Sequence, residues 1–106
     1  MDINRFYNVI KVAGAQFTIT RPATGDNFLV WMGTPGAVRE QALVNEASQD
    51  DLQAMVCRLD FDGQLFTKPE NGDYLVSGTE QYVIQKVLPK FGPSHESWGW
   101  LIVIRG

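Results

Sequence analysis

The chain has one cysteine, one histidine and no excess of positive charge. A lone Cys57 excludes an internal disulfide, and Cys57 with His95 falls short of the roughly four ligands of a zinc site. Nine Lys and Arg against twelve Asp and Glu leave a net charge of -3 and a pI near 4.9. That balance excludes the broad basic field by which proteins hold duplex DNA or anionic membranes. No apolar run approaches the roughly 20 residues of a membrane-spanning helix, and the N-terminus lacks the basic flank and apolar core of a secretory signal. The expectation is a chain made and kept in a reducing cytoplasm, with no membrane partner.

Chemistry is equally sparse. His95 sits in the polar run Gly92-Pro93-Ser94-His95-Glu96-Ser97, and adjacency of Ser94, His95 and Glu96 is not the geometry of a triad, whose members are brought together by the fold. Asp60-Phe61-Asp62-Gly63 looks like the opening of a calcium loop but lacks the later ligands and closing Glu of an EF-hand. Neither G-x-G-x-x-G nor G-x-x-x-x-G-K-[ST] occurs, so no phosphate cradle is written in the sequence. Cys57 lies in residues 55–61, where alternate positions are apolar, and reads as a small buried hydrophobe. These readings predict no catalytic residues, no metal and no cofactor; function is to be sought in surfaces.

What is present is one core's worth of apolar residues: 106 residues, 44% hydrophobic, suit a single domain over 1–106. Ile3, Phe6, Tyr7 and Ile10 fall at helical spacing between a capping Asp2 and a terminating Gly14, predicting a helix over 2–13. From Gln16 the period becomes two, with Phe17 and Ile19 alternating with polar neighbours, and a turn at 21–26 returns the chain through Phe28 to Met32, giving a hairpin over 16–32. Residues 34–53, rich in Glu, Gln, Ala and Asp, read as a long acidic loop with one helical turn at most; such loops are often functional. Beyond it, alternation at 55–61, an Asp62-Gly63 turn, Pro69 with Asn71-Gly72, Ser77-Gly78, and a last strand at 98–105 predict a β-meander over 54–105. The fold class is therefore mainly β: a small antiparallel barrel or sandwich with a short N-terminal helix and one long loop.

Two strands, Phe28-Leu29-Val30-Trp31-Met32 and Trp100-Leu101-Ile102-Val103-Ile104, are apolar on both faces. A small barrel has one inside, so each outer face requires a cover, either the helix or another subunit. Charge is uneven as well: residues 1–39 carry four Lys/Arg and two Asp/Glu, residues 40–62 one and six, and residues 63–106 four and four. The acidic block is the middle one. Trp31, Trp98 and Trp100 with Tyr74 and Tyr82 could stack bases, but the nearby cations are balanced by acids, which disfavours a single-strand groove.

The run Pro69-Glu70-Asn71-Gly72-Asp73-Tyr74-Leu75-Val76, then Gly78, Tyr82-Val83-Ile84, Val87 and Pro89, and the ending Trp100-Leu101-Ile102-Val103-Ile104-Arg105-Gly106, resembles tailed-phage head-tail connector proteins. More narrowly, it looks like the head-completion or stopper group and the related lambdoid head-tail joining proteins. It covers roughly the last 40 residues; the first 65 agree in length and layout. The resemblance implies a virion protein of the head-tail junction, present in the host cytoplasm during assembly. There it forms a homo-oligomeric ring between the portal or adaptor protein and the tail proteins, with genome DNA passing through without sequence-specific binding. In some members a long loop projects into the bore. On that expectation Glu40, Glu46, Asp50 and Asp51 face the channel, where carboxylates repel phosphate and leave a sliding duplex no sticky counter-charge. Trp98, Trp100 and Ile102 are the expected subunit contacts. The alternative is a small β-barrel binding module for a peptide or small ligand that uses the tryptophans as a platform.

Overall fold

The computed structural model describes residues 2–37 and 51–106. The N-terminal helix α1 spans Ile3–Ala13, and the Asp2 carboxylate accepts the Arg5 backbone N–H at 2.9 Å, satisfying one of the donors a helix start leaves open. Lys11 in the last turn complements the negative end of the helix dipole. Gly14 ends the helix, but with an extended backbone rather than the left-handed turn usual for a terminal glycine. Its role is close approach: a Cβ at this position would overlap the Met32 carbonyl.

Among the described residues seven strands follow: β1 Ala15–Thr20, β2 Asn27–Met32, β3 Gly36–Ala37, β4 Leu52–Cys57, β5 Tyr74–Ser77, β6 Glu80–Phe91 and β7 Ser97–Arg105. Their order is β2-β1-β5-β6-β7-β4, and Met32 opposite Val56 joins β2 back to β4, closing an antiparallel barrel; β3 is a two-residue addition on β4. The inside is filled by alternate residues: Phe17 and Ile19 from β1, Val30 and Met32 from β2, Ala54 and Val56 from β4, Leu75 from β5, Ile84 from β6, Ile102 and Ile104 from β7. Each large side chain so buried contributes about 1.5–3 kcal/mol. Closure gives each of these six strands a partner on both sides, the β2–β4 seam being a single pair, and so reduces the free edge that templates strand-to-strand aggregation.

The hairpin at 16–32 is observed as β1 and β2. The meander is narrower than the pattern predicts: β5, β6 and β7 are consecutive neighbours, while β4 lies on the far side of β7. Alternation at 55–61 overstates its strand. The chain leaves the sheet at Cys57, makes a 3-10 turn over Arg58–Asp60, and passes through turns and bends to residue 68 with no strand at 64–67. Phe61 and Phe66 are nonetheless buried, because this segment folds across the end of the barrel and plugs it with their rings, 6.5 Å apart and both against Phe28. At the other border of the acidic stretch, Gly36 pairs with Gln53 and Ala37 with Leu52, so its two ends are held side by side.

The two-faced strands find different covers. On β7, Ile102 and Ile104 point inward; outside, Leu101 shares an apolar cleft with Val9, Ile10 and Met55, so α1 is its cover. On β2, Leu29 remains 56% exposed.

Candidate functional site

Of the residues expected to face a channel, Glu40, Glu46 and Asp50 lie outside the described residues. Asp51 is described, and it is not an open loop carboxylate. Its side chain is buried at the start of β4, and Arg105 donates to both oxygens, through Nε at 2.7 Å and Nη2 at 3.2 Å. The acidic stretch thus ends one residue earlier than its charge suggests: Asp51 belongs to the fold.

The expected subunit contacts separate in the same way. Ile102 is fully buried inside the barrel, so it has no surface to offer a neighbour. Trp98 is 7% exposed; its ring packs on Phe6 of α1 with centroids 5.5 Å apart, and its indole N–H donates to Glu96 at 2.9 Å. Both are corrections: the barrel interior takes Ile102, and α1 covers Trp98. A strand under a helix is apolar on both faces without any second subunit. Only Trp100 keeps an accessible side: half-buried, it stands edge-on to Phe61 at 5.1 Å and lines a groove of about 320 Å³ with Lys68, Pro69, Glu70, Asn71, Val87 and Pro89.

One wall of that groove is built by the turn over residues 69–73. Gly72, at φ 91°, makes a turn that few other residues tolerate, and its N–H donates to the Ile84 carbonyl while Ile84 N–H donates to Asp73 O. Asp73 is thereby drawn inside, 2% exposed, where its carboxylate accepts Arg21 Nε at 3.1 Å, Arg21 Nη2 at 3.0 Å and the Glu70 N–H at 2.9 Å. Arg21 also donates to the Lys68 carbonyl and lies over the Phe66 ring at 3.9 Å. The hydrogen bond it donates to Asp73 holds the guanidinium more firmly protonated than usual, against the opposing effect of its burial. A forked donor, a buried acid and an aromatic face therefore fasten the 58–73 segment to the barrel. Sequence reading saw the turn but missed the clamp; the available hint was an arginine immediately after a strand, at a turn, facing an unexplained Asp after Asn-Gly.

A second hub holds the helix. The half-buried Asp60 carboxylate accepts the Tyr7 hydroxyl on one oxygen and the Trp31 backbone N–H on the other, the latter at 2.7 Å. Burial first, and then Asp60, push the Tyr7 phenol well above its ordinary value, so it stays a donor. The turn between β6 and β7 forms a third. Glu96 accepts the Ser94 N–H and the Trp98 indole, and its own backbone N–H chiefly, with these donors, lowers its carboxyl from the usual range. His95 takes a left-handed backbone conformation, φ 64°, at the exposed tip of that turn. Cys57 is buried, and burial pushes its thiol up, away from the reactive thiolate.

Among the described residues no group of three His, Cys, Asp or Glu is placed to hold a metal ion, and no helix is long and apolar enough to cross a membrane. What the surface does present is large apolar side chains: Val9 and Val12 on α1, Leu29 on β2, and Phe91 at the tip of the β6–β7 hairpin. Comparison with protein-family models, curated proteins and solved structures finds no match.

Proposed function

We propose that this chain is a structural protein of the phage head-tail junction, assembling as a homo-oligomeric ring between the portal or adaptor and the tail, with the genome passing through its bore. The observation that carries the reading is a coincidence of motif and architecture. The residues bearing the resemblance, 69–89 and 100–106, are those that build the clamped turn and the β5–β6–β7 meander of a closed barrel. A closed barrel with a helix on its flank is a rigid unit suited to stacking against copies of itself, because it offers little free strand edge and uses side-chain surfaces instead.

On this reading the subunit contacts are drawn from the large apolar side chains left outside, Val9, Val12, Leu29, Leu65, Tyr74 and Phe91, in place of Trp98 and Ile102. The acidic sequence of residues 40–50 supplies the bore with charge that repels DNA. The test is a joining assay: purified protein is added to tailless, DNA-filled heads and free tails, and infectious particles are counted. Rescue of joining supports the reading, and absence of rescue in every pairing rejects it. In the same assay Val12→Asp with Leu29→Asp should abolish rescue while leaving the folded monomer intact by circular dichroism. Charge reversal at Glu46 and Asp50 should leave the fold intact and slow DNA ejection or let it leak.

A further inference from the structure

The barrel wall has two outsides. α1 packs on β4 and β2 and reaches β7 at Trp98 and Leu101, so it covers one of them. In the closed order β2-β1-β5-β6-β7-β4, β5 stands across the barrel from β4, and the outer surface centred on β1 and β5 faces away from the helix. Leu29, Thr18, Val76 and Gln81 form one row across β2, β1, β5 and β6 on that surface, and Asn27, Thr20, Tyr74 and Val83 form the next. All eight alternate with core residues and keep solvent access, yet none is charged, in a chain of which 20% is charged. Glu80 and Arg105 stand only at its border. A wall left to water carries lysines and acids; their depletion, with apolar and aromatic side chains in place, is the composition of the centre of a protein interface.

The helix has an uncovered side of its own. Phe6, Tyr7 and Ile10 hold it to the barrel, while Val9 and Val12, three apart and so on one face, are 57% and 89% exposed. Lys11 between them is turned aside onto the Tyr7 ring, 4.2 Å from its centroid. A ridge of valines lies on an uncharged β surface without burying an unpaired ion, which is the costly alternative. Because the stripe and the bare wall are on opposite sides of one chain, they meet only between copies. Such a contact joins unlike surfaces and, repeated, runs round a closed ring or along a filament. Wall against wall would leave both valine stripes in water. Size sets the strength: four strands about 4.8 Å apart, each three outward residues long, make a wall of roughly 400 Å². That is about half of what one partner of a stable complex buries, so a single contact is weak.

We propose that the uncharged outer wall of β2, β1, β5 and β6 seats the Val9 and Val12 stripe of a second copy of this chain, head to tail. The contact rests on the ring reading only for its setting. The probe is the purified full chain, followed by sedimentation velocity and amide resonances from about 0.02 to 1 mM, the range of a contact this small. The mean mass should rise with concentration, and the amides that shift should belong to residues 9–12, 18–20, 27–29, 74–76 and 81–83. Leu29→Lys with Val76→Lys blocks the wall, and Val9→Lys with Val12→Lys blocks the helix stripe; none of the four is an inward side chain. Each blocked variant alone should stay monomeric. Their equimolar mixture should form a heterodimer and stop there, since each brings one intact surface. Self-association of either variant, a mixture that stays monomeric, or a native chain still monomeric at about 1 mM overturns the proposal. So do shifts mapped elsewhere in the native chain, and that map decides alone if a variant fails to fold by circular dichroism. The joining assay remains a separate test: head-to-tail association without rescue keeps this contact and rejects the junction, whereas rescue by the wall-blocked variant rejects this contact and keeps the junction.

Discussion

The two ends of the barrel each bury an aspartate against an arginine, and they differ in how much water the arginine keeps. β4 and β5 run in opposite directions, so Asp51 and Asp73, each preceding its strand, mark opposite ends. Both carboxylates are buried and both receive Nε and Nη2 of a guanidinium. Yet the Arg21 side chain is 17% exposed, stacked on Phe66 and shared with a backbone carbonyl, whereas that of Arg105 is 46% exposed. The first pair is an internal fastener of a plugged end. The second is a fastener at a wet boundary, where solvent shares the guanidinium. The same two residue types thus close one end tightly and the other loosely, which suits an acidic segment anchored at the loose end.

That contrast breaks most sharply at Arg21. Arg21→Ala leaves the Asp73 carboxylate buried with its charged partner gone, and removing one member of a buried pair costs about 3–5 kcal/mol. Urea unfolding should show this as a large fall in midpoint, and Arg21→Lys should recover only part of it, because a single ammonium does not reproduce the fork over both oxygens. Arg105→Ala should cost less than this, because its half-exposed guanidinium keeps part of its hydration in the folded chain, although the Asp51 carboxylate it leaves behind is itself buried. Raising salt from 0.05 to 0.5 M, values chosen to shorten the Debye length to about a third, should weaken the native chain's Arg105 contribution more than its Arg21 contribution. Equal costs for the two alanine variants would remove the distinction between the ends.

How far the sequence disclosed this can be traced residue by residue. Asp2 and Gly14 bracket the helix, and alternation at Phe17, Ile19, Val30 and Met32 marks strands, because these signals are local: a cap, a stop, a period. The plugged end was hidden for the opposite reason. Leu59 and Phe61 continue the alternation of β4 although the chain has already turned at Arg58; what turns it is a set of contacts from Asp60 to Tyr7 and Trp31, 53 and 29 residues away. Likewise Trp98 and Ile102 look like spare apolar surface until α1 and the barrel interior claim them. Asp51 and Asp73 carry no local mark of burial at all, since their arginines are 54 and 52 residues distant. Periodicity reports which face is apolar; it does not report which partner covers it.

A third carboxylate sharpens the comparison, because Asp60 is held by neutral donors alone in its two hydrogen bonds. Tyr7→Phe removes one of them and leaves the Trp31 N–H, so the expected loss is about 1 kcal/mol, the net worth of one hydrogen bond, and smaller than either arginine effect. Its pH dependence separates it from the ion pairs. The Tyr7 phenol is raised from its ordinary value of 10.0 by burial and Asp60, so above pH 10 the unfolded chain ionises this tyrosine while the folded chain does not. The unfolded state then binds fewer protons than the folded state, and stability falls as pH rises through that window. Tyr7→Phe should flatten this alkaline decline relative to the native chain while leaving the curve below pH 9 parallel to it. An unchanged alkaline slope would mean that Asp60 is held at the junction by Trp31 alone, and that α1 stays on the barrel through Phe6 and Ile10 packing rather than through its phenol.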